Sequence, residues 1–154
     1  MTTMTYFEAI SAGMREEMRR NPRVFILGED VGIYGGAFKA TKGFFEEFGP
    51  DRVYDTPLAE SAIMGVGIGA ALTGLRPIVE FQFADFITSA FNQVVNNAGT
   101  MFFRSGMPLP LTIRCPSGAN VHGGPFHRRI PKPGLGTRRD SRSSHHRHLT
   151  MPKA

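Results

Sequence analysis

Phe7, Ile10, Met14 and Met18 recur at helical spacing, while Glu16, Glu17, Arg19 and Arg20 fall on other faces. This pattern predicts an amphipathic helix that ends near Asn21–Pro22. VFIL at 24–27 predicts a short buried strand running into a Gly-rich loop, GEDVGIYGGAF. A short helix follows over 41–49, then a strand over 52–57 with polar residues at its end. Residues 59–72 predict a Gly- and Ala-rich helix. Gly65, Gly67 and Gly69 weaken helix propensity there, and close approach to a neighbouring backbone is the expected reason for them. A strand over 74–81, a long helix over 84–103 and a strand over 108–116 complete the pattern. Short apolar strands alternating with helices predict an α/β fold with a parallel, doubly wound sheet flanked by helices. Ligands of such sheets bind beyond the carboxyl ends of the strands. The loop 117–124, SGANVHGG, lies just past one of them.

Charge divides the chain after His127. The whole holds 18 Lys/Arg and 13 acids. Residues 128–154 contain eight of those bases and one of the acids, a local charge of +7. The first 127 residues are therefore at −2, and the basic balance of the chain is a property of its tail. At 154 residues there is room for one domain, and 41% apolar residues suffice for a core. The single cysteine, Cys115, excludes an intrachain disulfide framework and fits a reducing, cytoplasmic setting. The first residues lack the basic and apolar regions of a signal peptide. Arg76 and Glu80 interrupt the most apolar stretch, so no membrane span is expected.

GEDVGIYGGAF is neither a dinucleotide fingerprint nor a Walker loop. In DTPLAES (55–61), Glu60 opens a helix directly after a strand. Two readings stay open on local pattern: a first-turn acid favoured by the helix dipole, or a carboxylate in a strand-end cleft poised to share a proton. His127 is likewise either a loop histidine or an acid–base group.

The order of these segments adds information. ILGEDVGIYGGAFKATKGF, the run from FGPDRVYDTPLAES through FQFADFITSAFNQVVNNAG, and HGGPFH resemble the β subunit of 2-oxoacid dehydrogenase E1 components. The resemblance covers residues 5–127. That family comprises thiamine-diphosphate enzymes such as pyruvate and branched-chain 2-oxoacid dehydrogenases, with acetoin dehydrogenase β subunits in the same group. The resemblance implies a transketolase-like pyrimidine-binding domain over 1–127, without the separate C-terminal domain of the family. It implies oxidative decarboxylation with acyl transfer to a lipoylated E2 acyltransferase, in an α₂β₂ assembly whose α subunit supplies the Mg²⁺ and diphosphate contacts. No metal ligand, nucleic-acid partner or membrane partner is expected in this chain.

By the same resemblance, Glu60 is the catalytic carboxylate that hydrogen-bonds N1′ of the aminopyrimidine. It favours the imino form whose nitrogen takes the C2 proton of the thiazolium. Gln82 and Phe86 fall in the cofactor-binding segment, and Phe86 is equally an ordinary core aromatic. His127 takes the place of the family's active-site histidine, with PF before it where LY is commoner. His122 reads as structural, Gly35–Gly36 as shaping the loop beside the cleft, and Asp85 as a polar helix start. Two alternatives remain: a non-catalytic fragment that at most binds the α subunit, or an acetoin dehydrogenase β subunit.

Past His127 the family continues with a segment like SQNPEAWF, where this chain has RRIPKPGL. Codons CAC TCG CAG AAT, losing the T, become CAC CGC AGA ATC, which encode His-Arg-Arg-Ile. Regrouped codons for 137–144 and 147–154 permit the family's later segments too. Residues 128–154 are thus expected to be a disordered, out-of-frame basic tail. The competing reading, a nucleic-acid-binding tail, lacks aromatic residues for base stacking. The shifted frame also explains His145, His146 and His148 without a metal.

Overall fold

The computed structural model describes residues 4–117 and the backbone of 147–150. Helix α1 (Tyr6–Arg20) starts at a capping box. The Glu8 amide donates to Thr5 Oγ1 at 3.2 Å, and the Thr5 amide donates to Glu8 Oε2 at 2.7 Å. Ile10, Met14 and Met18 are its buried stripe, as their spacing predicts. Strands β1 (Val24–Gly28), β2 (Val53–Asp55), β3 (Arg76–Glu80) and β4 (Thr112–Cys115) follow, with α2 (Phe44–Phe48) and α3 (Glu60–Leu72) in the first two crossovers. These four strands are mutually parallel in the order β2-β1-β3-β4.

Side chains alternate between the two faces of the sheet and supply two cores. Val24, Ile26 and Ile78 pack with Met14, Met18 and Phe44 of α1 and α2. Phe25, Leu27, Val79 and Ile113 pack with Ile63, Met64 and Ile68 of α3. Both faces are therefore covered, which is the doubly wound arrangement the strand–helix alternation implies. Arg52 ties α1 to the sheet: its guanidinium donates to the carbonyls of Met18 and Val24, both at 2.6 Å, and of Asn21 at 3.1 Å.

Three expectations need correction. The continuous helix over 84–103 is instead a 3₁₀ turn (Ala84–Thr88), a π-helical segment (Gln93–Ala98) and α4 (Gly99–Ser105). The Gly99 amide bonds to the Val94 carbonyl, five residues back, which widens the turn. Among the glycines of α3, only Gly67 makes a close approach, and it meets a side chain: a Cβ there would lie 2.5 Å from Val79 Cγ2. Gly69 has nothing within 4 Å. Finally, four residues of the expected disordered tail form β5 (Arg147–Thr150), antiparallel to β4. The unpaired edge of β4 offers amide and carbonyl groups to any extended segment that reaches it. Residues 118–146 and 151–154, which make up the rest of the tail and most of the SGANVHGG loop, lie outside the described residues.

Candidate active site

Parallel strands deliver their carboxyl ends to one rim, and four polar segments meet there. Beyond β1 come Glu29 and Asp30; beyond β2, Thr56 and the first turn of α3; beyond β3, Gln82; beyond β4, Pro116. The Thr56 amide donates to the Gly28 carbonyl at 3.0 Å, and the Ala84 amide to the Pro116 carbonyl at 2.9 Å. The loop after β1 turns sharply. Asp30 has φ 57°, Gly35 φ 81° and Gly36 φ 82°. The two glycines thus shape the loop as expected, since the left-handed region favours residues without a Cβ. Gly36 also lies against the buried Glu80, whose Oε1 would be 3.3 Å from a Cβ added there.

Glu60 is the first residue of α3, whose N-cap, Ala59, offers no side-chain acceptor. The carboxylate therefore stands near free helix amides, a placement the dipole favours. Glu60 is half-buried and borders an open surface groove of about 490 Å³ with Ser61, Gly65, Ser89 and Gln93. Ser89 and Gln93 belong to the broken helical stretch 84–98, whose π-helical start sets Gln93 opposite Gly65.

Gln82 and Phe86 are not among the residues lining that groove. The Gln82 amide nitrogen donates to Asp30 Oδ2 at 2.9 Å and links the loops after β1 and β3. Phe86 is half-buried and stands edge-on to Phe83, ring centroids 5.4 Å apart. Phe83 in turn stands edge-on to Phe38 at 5.7 Å. His127 and His122 lie outside the described residues.

The residue that sequence reasoning passed over is Glu29. It is only 5% exposed, and neither carboxyl oxygen has a hydrogen-bond partner among the described residues. Burial, then the charge of Glu60, then that of Asp30, push its carboxyl above the usual range. The available signal was an acid directly after an all-apolar strand, where the chain is still inside the molecule. Cys115, at the end of β4, is also buried. Its thiol is pushed up to about 11, chiefly by burial, so it is a packed thiol and not a nucleophile.

The family model described as "Transketolase, pyrimidine binding domain" matches residues 2–128. The chain belongs to this family. Within this pyrimidine-binding family, the chain is 56% identical over 129 residues to the 2-oxoisovalerate dehydrogenase subunit beta of Bacillus subtilis strain 168. The pyruvate dehydrogenase E1 component subunit beta of Staurastrum punctulatum is 49% identical over the same length. Each match covers 82% of this chain but 39% of the relative. The pyruvate dehydrogenase E1 component subunit beta of Rhizobium meliloti is 50% identical, covering 77% of this chain and 26% of the relative. A solved split-gene transketolase, described as an inactive beta4 tetramer, superposes with a TM-score of 0.51 at 23% identity, over 80% of this chain and 36% of that one. That likeness shows the shared fold. Among the described residues no helix is long and apolar enough to cross a membrane.

Proposed function

We propose that residues 1–127 are the aminopyrimidine-binding part of the β subunit of a thiamine-diphosphate-dependent 2-oxoacid dehydrogenase E1. The observation that carries the reading is Glu60: a half-buried carboxylate that opens α3 shortly after the end of β2 and borders an open groove between α3 and residues 89–93. The identities to E1 β subunits support it. The donor set suits an aminopyrimidine. A carboxyl group would meet a ring nitrogen there, and the buried carboxyl oxygens of Glu29, without hydrogen-bond partners among the described residues, support a polar ligand at this rim. Thiamine diphosphate, when bound, supplies a carbon nucleophile and an electron sink for decarboxylation. In this chain Glu60 orients the pyrimidine edge and holds the proton at its carboxylate. Phe86 offers an aromatic face, and Gln82 acts through Asp30 to fix the loop. His127 handles the acyl group on its way to lipoyl-E2.

The E1 α subunit supplies the diphosphate and Mg²⁺ contacts, so the assembled site lies between subunits. The substrate is pyruvate or a branched-chain 2-oxoacid; acetoin is the second reading. Co-expression with an E1 α subunit, followed by calorimetry with thiamine diphosphate and Mg²⁺, tests this. Cofactor binding that needs α and is lost on Glu60→Gln is expected, with the fold unchanged by circular dichroism. Unchanged binding by the Glu60→Gln protein would overturn the assignment.

We further propose that residues 128–154 are read out of frame. The family match ends at residue 128, where the composition changes, which supports that reading. Resequencing across codons 120–160 checks it. A T after the His127 codon, with an open frame beyond, is the sequencing-error outcome.

A further inference from the structure

We propose that the outer edge of β4 is a strand-docking surface, that β5 of the same chain holds it shut, and that displacing β5 opens it to β4 of a second copy. The inference concerns the 154-residue chain itself and is independent of the reading of Glu60.

The ladders on either side of β4 identify the groups involved. The Phe81 amide donates to the Arg114 carbonyl at 2.9 Å, so the main-chain groups of Arg114 turn towards β3. Successive residues of a strand direct these groups to opposite sides. Those of Ile113 and Cys115 therefore turn outward, where the register sets them opposite Leu149 and Arg147. These are the hydrogen-bonded pairs of the antiparallel ladder. Thr112–Thr150 and Arg114–His148 are the non-bonded pairs that alternate with them.

Three observations mark this edge as an acceptor. Among the described strands, β5 alone runs antiparallel, so main-chain pairing adds it to a sheet otherwise built by crossovers. Without β5, strand β4 has none of the features that blunt an edge. It has no proline, its register is unbroken, and its one charged side chain, Arg114, is buried against Glu80. The segment leading into β4 also exposes Phe102, Phe103 and Met107, with Phe103 93% exposed. Apolar surface of this kind marks a contact face. By contrast β5 is four residues long, begins with Arg147 and is followed closely by Pro152, which makes it a blunted edge. A second β4 fits the open acceptor because an antiparallel pair about a twofold axis is self-complementary. The outward groups of Ile113 and Cys115 in each copy supply donors and acceptors to the other.

The test uses the whole 154-residue chain and three proline variants, read by amide hydrogen exchange and sedimentation over a concentration series. Proline removes a main-chain donor. Leu149→Pro and Arg147→Pro each delete a bond to β4. The His148 amide turns away from β4, so His148→Pro spares the ladder. In the parent and in His148→Pro, the Ile113 and Cys115 amides are expected to be protected at every concentration. In Leu149→Pro and Arg147→Pro they should lose protection in dilute solution and regain it as a species of twice the parent's mass forms. The Phe81 amide, bonded between β3 and β4, should stay protected in all four proteins. Ile113 and Cys115 amides that are labile in the parent, protected there only at high concentration, or unaffected by both ladder-breaking prolines overturn the role of β5. Labile amides in variants that never form the larger species overturn the docking surface.

Discussion

Glu80 and Arg114 sit in register on neighbouring parallel strands, their side chains 2.6 Å apart and each 2% exposed. The Arg114 charge favours ionised Glu80, but burial outweighs it and raises the carboxyl overall. The pair adjoins the loop after β1, where Gly36 lies against Glu80. A buried ion pair of this kind adds little net stability, yet removing one partner strands the other. Arg114→Ala is expected to destabilise the fold by about 3–5 kcal/mol. The double variant Glu80→Met/Arg114→Met should recover most of that loss. Urea unfolding followed by circular dichroism makes the comparison.

Glu29 carries a pH signature of its own. Its folded carboxyl lies above the ordinary value of 4.5, because of burial first and Glu60 second. The protonated form is therefore the one the fold prefers. Its stabilising contribution is fully present below pH 4.5 and is lost as pH rises through the elevated folded value. Glu29→Gln removes that loss. Thermal unfolding should show the variant gaining on the parent between pH 4 and pH 8, whatever the offset at low pH. A pH-independent difference would contradict the assignment.

Two glycines on one helix should respond oppositely to the same substitution. Gly67→Ala places a methyl 2.5 Å from Val79 Cγ2, on a buried contact between α3 and β3. The expected cost is about 1–3 kcal/mol. Val79→Ala in the same chain should return part of it by clearing the methyl's path. Gly69→Ala meets nothing within 4 Å and should stabilise by about 0.5–1 kcal/mol through helix propensity. Thermal melts of the four proteins decide the matter.

Arg52 is the tie between the end of α1 and the start of β1. Its guanidinium also lies 5.2 Å from the Phe48 ring centroid. A planar fork serves several carbonyls at once, which an ammonium cannot reproduce. Arg52→Lys is expected to lose about 1.5–3 kcal/mol, in the range of hydrogen bonds from charged groups. Hydrogen exchange should show the last turn of α1 opening before the sheet does.

The sequence by itself determined the order of strands and helices, the inward stripe of Ile10, Met14 and Met18, and the place of Glu60 at a strand-to-helix junction. These follow from local periodicity, from the all-apolar strand at 24–27, and from the acid that begins α3. The break in charge after His127 was likewise legible without coordinates. Tertiary structure decided what periodicity cannot carry. The helical period of 84–103 is compatible with an unbroken helix, whereas the structure breaks it into a 3₁₀ turn and a π-helical segment, the latter packed on α3, which sets Ser89 and Gln93 along the groove that Glu60 borders. Glu29 looks like an ordinary loop acid in the chain. It stands out because the fold buries it just past the end of β1, beside β2, where the charge of Glu60 also bears on it. The reason is one of range. Backbone propensity and amphipathic spacing act over a few residues, whereas desolvation and like-charge repulsion depend on which distant segments the fold brings together.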